Sequence, residues 1–82
     1  MSLHEVQSPI PGVFYRSPEP TIPAYVEVGQ MVAEADTIGL VEVMKSFHPI
    51  TAGVAGKVVE IGAENESVVN AGEVLMSIEV SS

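Results

Sequence analysis

LVEVMKSFHPI, residues 40–50, places two apolar runs on either side of a short polar centre. Apolar runs separated by a few residues in this way are typical of a strand, a tight turn and a second strand. The pattern therefore predicts a β-hairpin with Lys45 at or beside its tip, where a second protein can reach the side chain. A single surface lysine is ordinarily only a solvated charge, so other parts of the chain must favour a specific role.

The composition favours one small domain built from strands. The chain has 82 residues, of which 46% are hydrophobic, and this suffices for one packed core but not for two. Valine, isoleucine, alanine and glycine are abundant and aromatic residues are few, so we expect short strands joined by tight turns. The absence of cysteine from the sequence excludes disulfide and thiolate chemistry.

Charge and hydropathy disfavour two kinds of partner. The net charge of −8 repels the phosphates of nucleic acids. The apolar runs are too short to span a bilayer, and no basic segment precedes an apolar core as it would in a signal peptide. We therefore expect a cytoplasmic protein that binds neither nucleic acid nor membrane.

Two halves of the sequence resemble each other. A shift of 37 positions aligns Val32 with Val69, Asp36 with Glu73, Ile38 with Leu75, Val41 with Ile78 and Glu42 with Glu79. Further upstream, residues 10–12 match residues 54–56 at a shift of 44 positions, so the first half carries extra residues where the proline-rich stretch 17–23 lies. Short strands and polar turns in two related halves predict an all-β sandwich or flattened barrel.

Several blocks of the chain resemble one protein family. Glu42-Val43-Met44-Lys45 resembles the attachment motif of biotin carboxyl carrier domains, in which Met precedes the biotinylated Lys. SPIPGVFYRSP at residues 8–18 is similar to the opening of the carrier subunit of bacterial acetyl-CoA carboxylase, and VGQMV at residues 28–32 is similar to the next block. The resemblance extends from Ser8 to Val80. The family usually has Met directly after the lysine, where this chain has Ser46.

This resemblance implies a barrel-sandwich hybrid, a flattened barrel of two four-stranded antiparallel sheets related by a pseudo-twofold axis. The carriers of acetyl-CoA carboxylase have a protruding thumb in the first half, and residues 16–25 correspond to it. We therefore expect a carrier domain at residues 8–80, a flexible tail or an expression scar at residues 1–7, and a short C-terminal end at residues 81–82.

The resemblance also implies a function. Biotin attached to Lys45 would shuttle an activated carboxyl group between biotin carboxylase and carboxyltransferase sites, as in acetyl-CoA carboxylase for fatty acid synthesis. A biotin protein ligase would attach the biotin, and the domain by itself would not be catalytic. The residues expected to contribute are Glu42, Val43, Met44 and Ser46 around the attachment point, and Pro18, Glu19, Pro20 and Thr21 in the thumb. No metal site is expected, because no second ligand is suitably spaced from His48.

Two other functions stay open. Lipoyl carriers of 2-oxoacid dehydrogenase complexes share the fold, but they lack the thumb and usually have Asp or Ser before the lysine, so Met44 favours biotin. An unmodified barrel that binds other proteins would use Lys45 only as a surface charge.

Overall fold

The computed structural model describes residues 2–19 and 21–80, and these residues form two β-sheets. The strands are β1 (Ser2–Gln7), β2 (Gly12–Tyr15), β3 (Met31–Val32), β4 (Thr37–Val43), β5 (Ser46–Thr51), β6 (Gly56–Ile61), β7 (Ser67–Val69) and β8 (Val74–Val80). Sheet I has the order β1-β8-β6-β3, and sheet II has the order β5-β4-β2-β7. The strand pairings between described residues are all antiparallel. The predicted all-β fold of two four-stranded antiparallel sheets is confirmed.

The two sheets repeat each other strand by strand. The shift of 44 positions carries β1 onto β5 and β2 onto the start of β6, and the shift of 37 positions carries β3 onto β7 and β4 onto β8. Applied to sheet I, these shifts reproduce the strand order of sheet II. The repeat in the sequence is therefore a pseudo-twofold relation between the sheets, and each sheet contains strands from both halves of the chain.

The hydrophobic core draws equally on both halves of the chain. Phe14 and Val41 of sheet II are fully buried, as are their repeat partners Val58 and Ile78 of sheet I. Each such side chain contributes about 1.5–3 kcal/mol through removal of its apolar surface from water. The buried hydrophobic residues are Val6, Phe14, Val26, Val32, Ile38, Val41, Ile50, Ala52, Val58, Ala63, Val69, Leu75, Met76 and Ile78.

Two equivalent glycines allow neighbouring strands to approach closely. A Cβ atom on Gly12 would overlap the carbonyl oxygen of Glu42 in β4, and a Cβ atom on Gly56 would overlap that of Glu79 in β8. Only glycine fits where another backbone comes so near. The same close approach of two strands thus occurs in both halves. In sheet II it lies next to Glu42, three residues before Lys45.

The N-terminal segment differs from its prediction. Residues 1–7 are expected to be a flexible tail, but Ser2–Gln7 form β1, whose pairing with β8 begins with Ser2 opposite Val80. Val6 alone among these six side chains is buried. Main-chain hydrogen bonds rather than side-chain burial therefore hold the strand, and the hydrophobic pattern does not reveal it.

The domain boundary at Ser8 is accordingly too late, because the paired strands already include Ser2. Met1 and residues 81–82 lie outside the described residues. A helix long and apolar enough to cross a membrane does not occur in residues 2–19 and 21–80.

Candidate functional site

The hairpin between β4 and β5 turns through Met44 and Lys45. Val43 pairs with Ser46 as the last pair of the ladder, so the loop contains two residues. Met44 and Lys45 have φ angles of 50° and 67°, the left-handed conformation that a two-residue type I′ turn requires. Both residues are exposed, Met44 at 93% of its residue surface. The prediction that Lys45 lies at a hairpin tip is confirmed.

This turn is built from residues that do not favour it. Type I′ turns strongly prefer Asn and Gly, because a left-handed conformation costs other residues about 1–2 kcal/mol each. Backbone conformations of this kind concentrate at functional sites, where the surrounding structure maintains them. Here the register of β4 against β5 holds the turn in place, and Val43 packs against the core directly before it.

Glu42 is held in a defined position beside the hairpin. The Tyr15 hydroxyl donates a hydrogen bond of 2.9 Å to Glu42 Oε1. The Tyr15 ring packs against Phe47 with a centroid distance of 5.9 Å and a tilt of 57°. The hydrogen bond to Glu42, partial burial and the carboxylates of Glu42 and Glu66 raise the pKa of Tyr15 above its usual value. The hydroxyl therefore stays protonated and continues to orient Glu42.

The predicted thumb is a loop between β2 and β3 that is tied down at its base. The Tyr25 amide donates a 2.8 Å hydrogen bond to the Arg16 carbonyl, so the two ends of the loop meet. The Arg16 guanidinium bonds the Val26 carbonyl at 3.2 Å and forms an ion pair of 3.3 Å with Glu27. The Arg16 amide bonds Asn65 Oδ1 at 2.8 Å, which anchors the same point to the turn before β7.

The outer part of the thumb is exposed. Ser17 Oγ donates to the Glu19 carbonyl at 3.0 Å, and the Ile22 amide donates to the same carbonyl at 3.1 Å. Pro18, Glu19 and Thr21 are accessible to solvent. Pro20, the fourth predicted thumb residue, lies outside the described residues.

A cavity of about 220 Å³ separates the thumb from the hairpin. Its lining consists of Tyr15, Ser17, Pro18, Glu19, Phe47, Asn65 and Glu66. The structure thus brings the predicted thumb residues Pro18 and Glu19 opposite Phe47 of the hairpin. Thr21 is not part of this lining.

Glu66 at the cavity also has a left-handed backbone, with a φ of 62°. Its repeat partner Gly29 has a φ of 95°. Their amides make equivalent hydrogen bonds of 2.7 Å, from Glu66 to the Phe14 carbonyl and from Gly29 to the Val58 carbonyl. The backbone turn is therefore the same in both halves. At the cavity, however, the chain has Glu66 at a position where glycine would be less strained.

Five residues that line the cavity were not among the predicted site residues: Tyr15, Ser17, Phe47, Asn65 and Glu66. The repeat contains a signal for two of them, since Tyr15 and Phe47 align with Val59 and Leu3. Both aromatic residues lie on sheet II and both aliphatic partners on sheet I, which indicates a difference that the shared fold does not require. Within residues 2–19 and 21–80 there is no group of three or more potential metal ligands of the His, Cys, Asp or Glu type.

Comparison with known proteins identifies the family. Residues 4–78 match the biotin and lipoyl family model described as "Biotin-requiring enzyme". The chain is 41% identical over 76 residues to the biotin carboxyl carrier protein of acetyl-CoA carboxylase from Nostoc sp., covering 93% of this chain and 42% of the relative. It is 44% identical over 79 residues to the protein of the same name from Haemophilus influenzae, covering 96% of this chain and 51% of the relative. The chain therefore spans about half the length of these relatives.

Solved structures give the same fold. The crystal structure of the Kluyveromyces lactis urea carboxylase matches with a TM-score of 0.79 and 26% identity, over 96% of this chain and 6% of that protein. A single-chain, multi-domain long-chain acyl-CoA carboxylase matches with a TM-score of 0.80 at 16% identity, over 98% of this chain and 7% of that protein. From its family model, its sequence relatives and its fold, the chain belongs to the biotin-requiring enzyme family of biotin and lipoyl domains.

Proposed function

We propose that this chain is a biotin carboxyl carrier domain with biotin joined by an amide bond to Nζ of Lys45. The observation that carries the proposal is the position of Lys45 at the tip of a two-residue hairpin, with its side chain exposed. No other lysine of the chain is on a tip, because Lys57 lies within β6 and faces Glu79 of β8. The relatives named biotin carboxyl carrier protein support the same assignment.

The residues of the chain supply attachment, reach and position, and no catalytic role is proposed for them. When bound, biotin supplies a ureido nitrogen that carries a carboxyl group. Lys45 supplies a flexible tether on a rigid barrel, which keeps a bound group at high effective concentration near two successive sites. Amide formation also removes the positive charge of Lys45. Glu42, Met44 and Ser46 flank the tip and are the residues that a biotin protein ligase would meet beside Lys45.

The cavity beneath the thumb is suited to a compact, neutral, partly apolar group. Tyr15, Phe47 and Pro18 provide apolar walls, and Ser17 and Asn65 provide polar groups. Glu19 and Glu66 add carboxylates, which disfavour an anionic group. We infer that Pro18, Glu19, Pro20 and Thr21 restrict the swing of a group tethered to Lys45. Deletion of the thumb should alter carboxyl transfer while the barrel stays folded, and unchanged transfer would count against this role.

The wider assignment concerns the whole protein. Both named relatives are carriers of acetyl-CoA carboxylase, and this supports a role in the same enzyme, with biotin carboxylase and carboxyltransferase as partners. That enzyme would place the domain in fatty acid synthesis. The cytoplasmic location stays a prediction.

A lipoyl carrier is the second candidate, because the matching family model covers both biotin and lipoyl domains. The intact mass of the domain distinguishes the two after separate incubation with a biotin protein ligase and with a lipoate ligase. Lys45→Arg removes the proposed site, and Lys57→Arg is its matched control, since these are the two lysines of the chain.

The expected result is a gain of one biotinyl group in the wild type and in Lys57→Arg, with no gain in Lys45→Arg. A gain with lipoate alone would establish the lipoyl carrier. No gain with either would leave an unmodified barrel. If the wild type is biotinylated, Ser46→Met tests the departure from the family motif. Faster biotinylation of that variant would show that Ser46 weakens recognition by the ligase.

A further inference from the structure

The outer faces of the two sheets can be compared position by position. Side chains paired across neighbouring antiparallel strands share a face. On sheet II one row crosses all four strands as Phe47, Glu42, Val13 and Val68. The repeat carries this row onto Leu3, Glu79, Lys57 and Met31 of sheet I, which are paired in the same register. At the centre of the row, sheet II therefore has valine where sheet I has lysine.

The neighbouring row shows a larger difference. On sheet II it is Pro49, Leu40 and Tyr15, and on sheet I it is Glu5, Ser77 and Glu60. Tyr15 aligns with Val59 in the sequence repeat, but a bulge in β6 between Val58 and Glu60 shifts the register, so that Glu60 pairs with Ser77. At these three positions and at Val13, sheet II is thus apolar or aromatic where sheet I is polar or charged. At the two ends of the first row both sheets are apolar, since Phe47 and Val68 correspond to Leu3 and Met31.

This contrast shows that the fold does not require apolar side chains at Val13, Leu40 and Tyr15 of sheet II. Val68 is 76% exposed and Phe47 is 54% exposed, with Val13, Leu40 and Tyr15 half-buried between them. We call these five residues the apolar face. Contiguous exposed apolar surface of this kind marks interaction sites in soluble proteins. The row from Phe47 to Val68 spans about 14 Å, three strand spacings of about 4.8 Å.

Carboxylates lie within and beside the apolar face. Glu42 lies in the same row as Phe47 and Val13, and its side chain is held by Tyr15. Glu19 and Glu66 lie at the adjoining cavity, which shares Tyr15 and Phe47 with the face. The chain as a whole carries a charge of −8. A second copy of this chain would bring like charges together, so the complementary partner is a different protein with basic groups around an apolar contact.

We propose that the apolar face is the surface on which the biotin protein ligase docks, through apolar side chains rimmed by lysine or arginine. This inference rests on the proposed function. An unmodified lysine side chain is short, so the ligase must cover the hairpin itself. A specific interface buries about 800 Å² on each partner, and two residues of a turn cannot supply that area. The apolar face begins at Phe47, two residues beyond Lys45, and extends the contact away from the tip.

The test compares single substitutions at equivalent positions of the two sheets. Val68→Lys places a positive charge on the apolar face, where it would repel the basic rim proposed for the partner. Met31→Lys adds the same positive charge to the equivalent position of sheet I. Both parent side chains are mostly exposed, at 76% and 68%, so neither variant should unfold. Val13→Lys is a third variant, which introduces into sheet II the lysine that sheet I already has at Lys57.

The measurement is the initial rate of biotin transfer to the domain by a purified biotin protein ligase, over a range of domain concentrations. We expect Val68→Lys and Val13→Lys to raise the KM for the domain about tenfold each at similar kcat, the size of effect shown by contributing interface residues. Met31→Lys should have the wild-type KM. Added salt should raise the KM of the wild type, because it screens attraction between carboxylates and a basic rim.

Equal KM values for Val68→Lys and Met31→Lys would overturn the proposed docking surface while leaving the carrier function intact. An unmodified wild type would instead overturn the carrier function itself. A KM that is insensitive to salt would refute the basic character of the partner surface. Self-association of the wild type that Val68→Lys abolishes and Met31→Lys does not would assign the apolar face to a second copy of this chain.

Discussion

Replacing Met44 by asparagine should stabilise the protein. Met44 has a φ of 50°, and its side chain is 93% exposed, so it has almost no packing to lose. The left-handed conformation costs a residue such as Met about 1–2 kcal/mol, and asparagine adopts it more readily than most residues do. Asparagine is also the favoured residue at the first central position of a type I′ turn. We expect a gain of about 1 kcal/mol, which for a domain of this size raises the Tm by about 4–8 °C.

The control is Met31→Asn in β3. Met31 is also a mostly exposed methionine, but it lies in a strand and is not among the residues with positive φ. Asparagine is disfavoured in strands, so this variant should have an unchanged or lower Tm. Thermal unfolding followed by circular dichroism, with guanidinium unfolding as a second measure, compares both variants with the wild type.

The same substitution should slow biotin attachment, since Met44 adjoins Lys45 and is expected to contact the ligase. Higher stability with slower modification would show that the turn is maintained for function at a cost in stability. A Tm for Met44→Asn equal to or below that of the wild type would refute the reasoning that the hairpin tip is strained.

Three further predictions concern the elements that support the site. Gly12→Ala should lower the free energy of unfolding by about 1–3 kcal/mol, because its Cβ would overlap the backbone of β4. Gly62→Ala is the control and should change stability little, since the nearest atom to its Cβ would be 3.4 Å away. Denaturant titration measures both variants. Tyr15→Phe should lower stability at neutral pH. Because the folded state raises the pKa of Tyr15 above 10.0, this contribution is fully present below that pH and disappears as pH rises through the raised value. Unfolding curves of both proteins from pH 7 upward should therefore converge, and a constant difference would contradict the role of the hydroxyl. Arg16→Gln should speed hydrogen exchange of the Tyr25 amide at the thumb base. The global free energy of unfolding should change by less than about 1 kcal/mol, because the ion pair of Arg16 with Glu27 is exposed. Unchanged exchange would show that Arg16 does not hold the thumb.

Local patterns were sufficient to predict most strands and the position of Lys45. The strands β4, β5, β6 and β8 contain runs of apolar residues bounded by polar turns, and period and composition reveal such runs without tertiary information. The strand β1 could not be predicted in this way, since Val6 is its only buried side chain. Its formation depends on backbone pairing with β8, which lies 67 positions (Gln7 with Val74) to 78 positions (Ser2 with Val80) later in the chain.

The surroundings of Lys45 could be predicted only in part. Glu42, Met44 and Ser46 adjoin Lys45 in sequence, so the hairpin pattern already places them near the tip. Tyr15 reaches Glu42 across 27 positions of the chain, through pairing of β2 with β4. Such contacts depend on strand register, and a single residue of slip would turn each side chain to the opposite face.

The sequence by itself determined the two-fold repeat, the all-β class and an exposed lysine at or beside the tip of a hairpin. These features are encoded locally, in the alternation of apolar and polar residues and in the spacing of turns. Only the tertiary structure decided that Pro18 and Glu19 of the thumb line a cavity together with Tyr15 and Phe47. It also decided that Glu42 is fixed by a hydroxyl from another strand, and that one sheet presents an apolar outer face. These features arise from the register between strands distant in the chain, where hydrogen-bond geometry and core packing select one arrangement among many that the local pattern allows.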